Sequence, residues 1–224
     1  FAGDARRRQP TSIRSVWSEH ATVVRRGFVL VGVLAGTVNL WFVFLPAYLA
    51  TSEIHPLSTA LACAGAGLVS AAVLAPLAGR WSDRVGRRPF LAGGSATLCV
   101  VAFPMHSLAT RGSSGLLLLA DIVVGIALGS LVVGAHLAEQ FPVAARATGI
   151  ALSFGLATAV IGGTAPLVGS VLAQAGTPAG IAGYVVALAA AALLAAVLPE
   201  PRHRRRHLAG ELVEGRRPGR KSPG

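Results

Sequence analysis

The sequence predicts an all-α integral membrane protein with six transmembrane helices, and three observations lead to this fold class. Of the 224 residues, 53% are hydrophobic and only 13% are charged. The charged residues leave apolar runs between them, each long enough for the ~20 residues that a helix needs to cross a bilayer. The 20 Lys and Arg residues, set against 9 Asp and Glu, gather between alternate runs. A soluble basic domain would carry more charge and a disordered basic chain would be less apolar, so both classes are excluded.

The apolar runs define the spans in order along the chain. The first three runs contain no Asp, Glu, Lys or Arg, and the fourth contains only Asp121. The last run, 147–199, is long enough for two spans, and the turn-forming sequence Gln174–Pro178 divides it. The predicted spans are 27–50, 56–79, 90–109, 114–138, 147–172 and 178–198.

The basic residues predict the orientation of the bundle. With six spans, nineteen of the 20 Lys and Arg residues lie on one side of the membrane and only Arg111 on the other. Because cytoplasmic loops carry the excess of basic residues, both termini are expected in the cytoplasm of a cell membrane. Residues 1–26 are interpreted as a basic linker, and residues 199–224 as a disordered basic tail. The tail is expected to fix the topology of the chain, and the alternative is that it binds anionic lipid. The Arg-rich composition is typical of a bacterial protein, and the start at Phe1 suggests a fragment of a longer one.

Residues 80–89, between the second and third predicted spans, carry the most distinctive motif. An acidic residue sits among four arginines, Gly86 permits a tight turn, and Pro89 suits the first turn of the next helix. The motif residues are Gly79, Asp83, Arg84, Gly86, Arg87 and Arg88. This stretch resembles the G-x-L-[AS]-D-R-x-G-R-[RK] loop of the major facilitator superfamily, with Trp81 at a position that is often aliphatic. The alternative is a purely topogenic cluster of charge.

Three further motifs are similar to those of one branch of that superfamily, the metabolite:proton symporters. Phe44–Leu49 resembles the end of its seventh helix, and Gly162–Pro166 resembles part of its eleventh. The segment 139–149 resembles its E-x-FP-x-x-x-R-x-TG loop, although the family often has an earlier Arg where Ala144 stands here. The residues that match this second loop are Glu139, Pro142, Arg146 and Gly149.

The resemblance implies that residues 27–198 form helices seven to twelve of a twelve-helix transporter, built as 3+3 inverted repeats. Such a half works by alternating access with an N-terminal six-helix half, and its basic loop holds the cytoplasmic helix ends together in one conformation. The implied function is proton-coupled symport of a small organic acid or zwitterionic osmolyte, with H⁺ as the coupling ion and no bound cofactor. The proline/betaine, α-ketoglutarate, citrate and shikimate permeases belong to this branch.

Four residues are candidates for the transport cavity or for coupling. In this fold the first span of each repeat lines the cavity, so spans one and four supply Thr37, Asn39, Trp41 and Asp121. For Asn39 the alternative is an interhelical hydrogen bond. For Asp121, the only acid inside a predicted span, the alternative is a position near the outer membrane surface. His136, at the inner end of span four, is expected to lie at the interface rather than to act as a gate.

Other functions have less support in the sequence. The two cysteines lie in apolar runs, and the six histidines lack the spacing of a metal site, so no metal is expected. No arrangement of nucleophile and base indicates an enzyme, and a membrane-embedded enzyme would need paired polar residues besides Asp121. Nucleic acid is not expected as a partner; the partners are a small-molecule substrate, the lipid bilayer and the other half. A six-helix scaffold without transport activity remains the alternative function.

Overall fold

The computed structural model describes residues 13–198, and its regular elements in that range are all helical. The predictions for residues 1–12 and for the tail 199–224 lie outside the described residues. The α-helices are α1 (Ile13–Thr37), α2 (Leu45–Thr51), α3 (Leu57–Val85), α4 (Arg87–Ala109), α5 (Ser114–Gly129), α6 (Val133–Gln140), α7 (Arg146–Ala157), α8 (Gly163–Gln174) and α9 (Ala179–Val197). Two π-helical segments, Val38–Phe44 and Thr158–Gly162, connect α1 to α2 and α7 to α8.

Six helical stretches in the described residues are long and apolar enough to cross a membrane, which confirms the predicted fold class. They are His20–Thr51, Leu57–Val85, Arg87–Ala109, Ser114–Gln140, Arg146–Gln174 and Ala179–Val197, called spans one to six below. Span one begins where the backbone of His20 leaves helical geometry, with φ −123° and ψ 22°. The turn predicted between spans five and six lies between the end of α8 and the start of α9.

The loop predicted over residues 80–89 is mostly helix in the structure. Span two continues as helix to Val85, and only Gly86, with φ 107°, separates it from α4. Hydropathy marks where a chain leaves the apolar core, whereas arginines are good helix formers that let the helix continue beyond it. The Gly86 N–H donates to the Ser82 carbonyl at 2.9 Å and closes this helix.

The spans pack in a pattern with internal symmetry. Span one packs against spans five and six, span four packs against spans two and three, and spans three and six pack together. Exchanging spans one, two and three with spans four, five and six leaves these contacts unchanged, although spans one and two touch more extensively than their counterparts, spans four and five. An inverted 3+3 repeat requires such a pattern, and the repeat itself stays a prediction.

Spans two and four approach each other so closely that only glycine fits at the contact. A methyl group on Gly129 would lie 2.6 Å from the Ala71 carbonyl oxygen, and one on Gly67 would lie 2.6 Å from that of Asp121. A methyl group on Gly125 would collide with the Gly67 carbonyl. The G-x-x-x-G pattern at Gly125 and Gly129 therefore acts in helix packing, as small residues commonly do in membranes.

Three spans are interrupted along their length. The sequence Gly162–Pro166 indicates a bend in span five, whereas nothing in the sequence indicates the interruptions of spans one and four. The π-helical segments Val38–Phe44 and Thr158–Gly162 lie in spans one and five. They touch each other, since a methyl group on Gly162 would lie 3.1 Å from the Asn39 amide nitrogen. Span four breaks at residues 130–132, between α5 and α6. Interruptions of this kind often mark functional sites.

Candidate functional site

Arg87 is the centre of a polar cluster at the ends of spans two, three and four. It forms an ion pair with Asp83, and its Nε donates to Glu139 Oε1 at 3.0 Å. Its Nη1 donates to Ser82 Oγ at 2.6 Å and to the Gly79 carbonyl at 3.3 Å. We call these five residues the Arg87 cluster. One guanidinium thereby connects three spans, using the several donors that make Arg suited to such a role.

The local fold explains how this cluster forms. Arg87 opens α4 immediately after the Gly86 turn, so its side chain lies beside the last turns of α3. The Ser82 hydroxyl is buried and donates to the Gly79 carbonyl at 2.7 Å while it accepts from Arg87. Glu139 is supplied by α6 of span four. The Arg87 side chain is 19% exposed, whereas Asp83 and Glu139 are 59% and 56% exposed.

The Arg87 cluster joins two motifs that the sequence analysis treated separately. Asp83 and Arg87 come from the first motif and Glu139 from the second, and the contact between the motifs was not predicted. Ser82 was not predicted as a site residue, and its only signal in the sequence is that it is polar and precedes Asp83 by one position. The negative charge of Glu139, opposite to that of the arginines in the first motif, was the available signal, but charge alone does not choose among four arginines.

The remaining residues of the two motifs lie around this cluster. Arg84 is exposed and Arg88 is partly buried. Pro142 and Arg146 are exposed, and Arg146 Nε donates to the Phe141 carbonyl at a long 3.5 Å. Gly149 packs directly on the ring of Phe141, where a methyl group would be in collision. The second motif therefore folds the short segment between α6 and α7 around a buried aromatic ring.

A second polar group lies inside the bundle, between spans one, three and four. The indole Nε1 of Trp41 donates to Asp121 Oδ1 at 2.9 Å. The ring of His106 meets that indole edge-on, with centroids 6.2 Å apart and planes at 71°. Trp41 is 0%, Asp121 2% and His106 5% exposed, and His106 Nδ1 has no hydrogen-bond partner in the described part of the chain. We call these three residues the Trp41 group; His106 was not predicted as part of any site.

Asp121 is enclosed by the protein, 2% exposed, and does not extend to the surface of the bundle. Asp121 lies within the protein because span four packs closely against span two through glycines, which leaves the carboxyl facing Trp41. A hydrogen bond to a charged group contributes about 1.5–3 kcal/mol. A buried charge without such a partner would be considerably more costly.

The other two cavity candidates have different surroundings. Thr37 is fully buried, and its hydroxyl has no partner among the described residues. Asn39 is partly exposed, and its amide donates to the Ala35 carbonyl of its own helix at 2.9 Å, so the predicted interhelical hydrogen bond is not formed. Of the four candidates only Asn39 reaches the surface of the bundle in this conformation, whereas Thr37, Trp41 and Asp121 are enclosed.

Two further expectations concern histidine and metal. His136 was expected at the membrane interface but is only 6% exposed, and its ring nitrogen Nε2 lies 2.5 Å from the Gln140 amide nitrogen. The break in span four before α6 places it among neighbouring helices. Within residues 13–198, no three His, Cys, Asp or Glu side chains are grouped so that they could hold a metal ion.

Comparison with known proteins relates the chain to membrane transporters. The model of the Major Facilitator Superfamily matches residues 15–220. The ectoine/proline transporter of Corynebacterium glutamicum is 32% identical over 58% of this chain and 26% of its own length. The alpha-ketoglutarate permease of Escherichia coli is 26% identical over 84% of this chain and 44% of its own length. The citrate-proton symporter of Salmonella typhi is 29% identical over 68% of this chain and 36% of its own length. No solved structure matches significantly.

The matches define both the family and the extent of the similarity. The chain spans between about a quarter and less than half of the length of these relatives. Its homologues are transporters, so the chain is not an enzyme. With six apolar helices it is a multi-pass membrane protein. The match over residues 15–220, together with the six spans, shows that the chain belongs to the Major Facilitator Superfamily.

Proposed function

We propose that the chain is the C-terminal six-helix half of a secondary active transporter that works by alternating access. The observation that carries this proposal is the Arg87 cluster, in which one side chain ties together the ends of spans two, three and four. Such a tie lets the half move as one body against a second, N-terminal half. The partners are that second half, the lipid bilayer and a small-molecule substrate.

The substrate is proposed to be a small organic acid or a zwitterionic osmolyte, taken up together with H⁺. Support comes from the printed functions of the relatives, which include ectoine, proline, betaine, alpha-ketoglutarate and citrate, the last with a proton. Asn39 is the substrate-contact candidate because its amide reaches the surface of the bundle. Asp121 is the coupling candidate because it is the acid enclosed within the spans.

Uptake by the complete transporter in proteoliposomes tests this function. We expect an inward proton gradient to drive accumulation of one member of a panel of labelled carboxylates and betaines, and an ionophore that collapses the gradient to abolish it. Vesicles without protein are the control. Absence of uptake for the whole panel, with folded protein present, would contradict the proposal and favour a six-helix scaffold.

The orientation gives a separate prediction about labelling. In a variant without Cys63 and Cys99, a cysteine at Val143, which is 82% exposed, should react with a membrane-impermeant thiol reagent only after the cells are opened. A cysteine at Ser113, in the outer loop, should react in intact cells. The physical reason is that basic residues stay in the cytoplasm during insertion, which places both termini there. The reverse labelling pattern would show that the charge rule fails for this bundle.

A further inference from the structure

The contact between Trp41 and Asp121 closes off the one acid that lies within the apolar part of the described spans. The indole N–H bonds to Oδ1 at 2.9 Å, and the two side chains are 0% and 2% exposed. The indole therefore covers Oδ1 in this conformation, and it must move before water can reach that oxygen. The edge-on contact with His106 also restrains the indole ring.

The groups that face Asp121 from its neighbouring spans include no lysine or arginine. Span one provides Trp41, span two provides the Cys63 thiol and the Gly67 backbone, and span three provides His106 through the indole. In the described part of the chain Asp121 forms no ion pair, and Arg111 at the same end of the bundle is exposed. A proton is therefore the group that can neutralise this carboxyl where it lies.

The indole belongs to the part of span one that is able to rearrange. Trp41 is the middle residue of the π-helical segment Val38–Phe44. A π-helical turn holds an extra residue, so a return to α-helix turns one end of the segment by about 100° relative to the other. Such a rotation carries the indole away from Asp121. The segment also touches Gly162, at the end of the π-helical segment of span five. A rearrangement of one span should therefore displace the backbone of the other.

We propose that Trp41 is the positioning residue of a proton site at Asp121. The indole shields Oδ1 of the carboxylate in this conformation, and rearrangement of Val38–Phe44 uncovers it so that one proton binds at Oδ1 and converts the carboxylate to the neutral acid. The indole keeps its own proton throughout. The inference deepens, and rests on, the proposed proton coupling.

Fluorescence tests whether a proton binds beneath the indole. Trp17 and Trp81 are exposed, at 49% and 58%, and their replacement by Phe leaves Trp41 as the sole tryptophan of the chain. We expect the emission of Trp41 in the complete transporter, with the tryptophans of the other half also replaced, to show a pH transition. Asp121→Asn, which keeps the size and the Oδ1 acceptor, should abolish it. Glu53→Gln, at an exposed acid of the outer loop, should leave it unchanged.

Transport separates a positioning role from a merely structural one. Asp121→Asn should lose proton-driven accumulation but keep substrate counterflow, which moves no net proton. Trp41→Phe should shift the pH of half-maximal accumulation by about one unit, equivalent to a tenfold change in proton affinity. It should change the KM for counterflow by less than about twofold, since the substrate site is left intact. Glu53→Gln is again the control.

The outcomes distinguish this inference from the proposed function. Accumulation that survives Asp121→Asn, or an unchanged pH profile in folded Trp41→Phe, would overturn the inference while leaving proton coupling in place. If Trp41→Phe does not fold, the fluorescence of the Asp121→Asn variant decides. If the wild type shows no proton-driven uptake, the proposed function fails. In that case the pH transition of Trp41 fluorescence decides whether Asp121 is a shielded proton site. Fluorescence that does not change with pH would overturn the inference.

Discussion

Replacing Arg87 with glutamine is expected to lower substrate uptake by the complete transporter by about tenfold or more, while the protein still inserts into the membrane. In the described part of the chain, Arg87 is the cation that bonds Asp83, Glu139, Ser82 and the Gly79 carbonyl. A hydrogen bond between charged groups contributes about 1.5–3 kcal/mol, and about 1.4 kcal/mol already changes a conformational equilibrium tenfold. Initial uptake rates, divided by the amount of transporter in the membrane, measure the effect.

Arg84→Gln is the matched control for this experiment. Arg84 belongs to the same motif and carries the same charge, but its side chain is exposed rather than enclosed by the ends of three spans. If the basic residues only orient the protein, the two substitutions should reduce insertion and uptake equally. If the Arg87 cluster acts in transport, Arg84→Gln should keep most of the uptake. A double variant, Arg87→Glu with Glu139→Arg, should regain part of the loss by restoring an ion pair between spans three and four.

Replacing Gly125 with valine is expected to prevent correct assembly of the bundle. A methyl group at this position would collide with the Gly67 carbonyl and the Ser70 hydroxyl, and backbone atoms in a packed helix cannot move aside as a flexible side chain does. Overpacking a core by a methylene group typically costs about 1–3 kcal/mol, and a branched side chain against backbone should exceed that range. We expect little monodisperse protein in detergent and a lower unfolding temperature for whatever remains.

Gly93→Ala is the control for the loss of stability expected in Gly125→Val. Gly93 lies in the middle of α4, and a methyl group there meets no atom within 4 Å. Because alanine favours helix over glycine by about 1 kcal/mol, this variant should fold as well as the wild type or slightly better. Equal stability of the Gly125→Val protein and the Gly93→Ala protein would show that spans two and four do not approach as closely as the structure indicates.

The number of spans was predictable because the requirement for a membrane helix is local. An apolar run of sufficient length, with few charges, identifies a span whatever the rest of the chain does, and all six were found in this way. The end of span two was not predictable on the same basis. Hydropathy falls at Arg80, but backbone hydrogen bonds continue the helix to Val85 until Gly86 interrupts it.

The sequence indicated several residues of the candidate site, but it did not indicate which contacts they form. The motifs supplied Asp83, Arg87 and Glu139 as separate candidates. Asp121 was a candidate because it is the only acidic residue inside a predicted span. Nothing in the spacing indicated that Arg87, rather than Arg84, would reach Glu139. His106 was missed for a similar reason, since its contact with Trp41 joins residues that are 65 positions apart in sequence.

By itself, the sequence determined that this protein is a six-span helical membrane protein of the Major Facilitator Superfamily, because hydropathy, charge and short motifs are properties of neighbouring residues. Only the tertiary structure decided which polar groups meet: Arg87 with the ends of three spans, and Asp121 with Trp41 inside the bundle. The physical reason is that these contacts depend on how closely helices approach and on how their backbones are interrupted. Those distances depend on glycines packed against a partner helix and on a π-helical segment, which become visible only when all six spans are assembled.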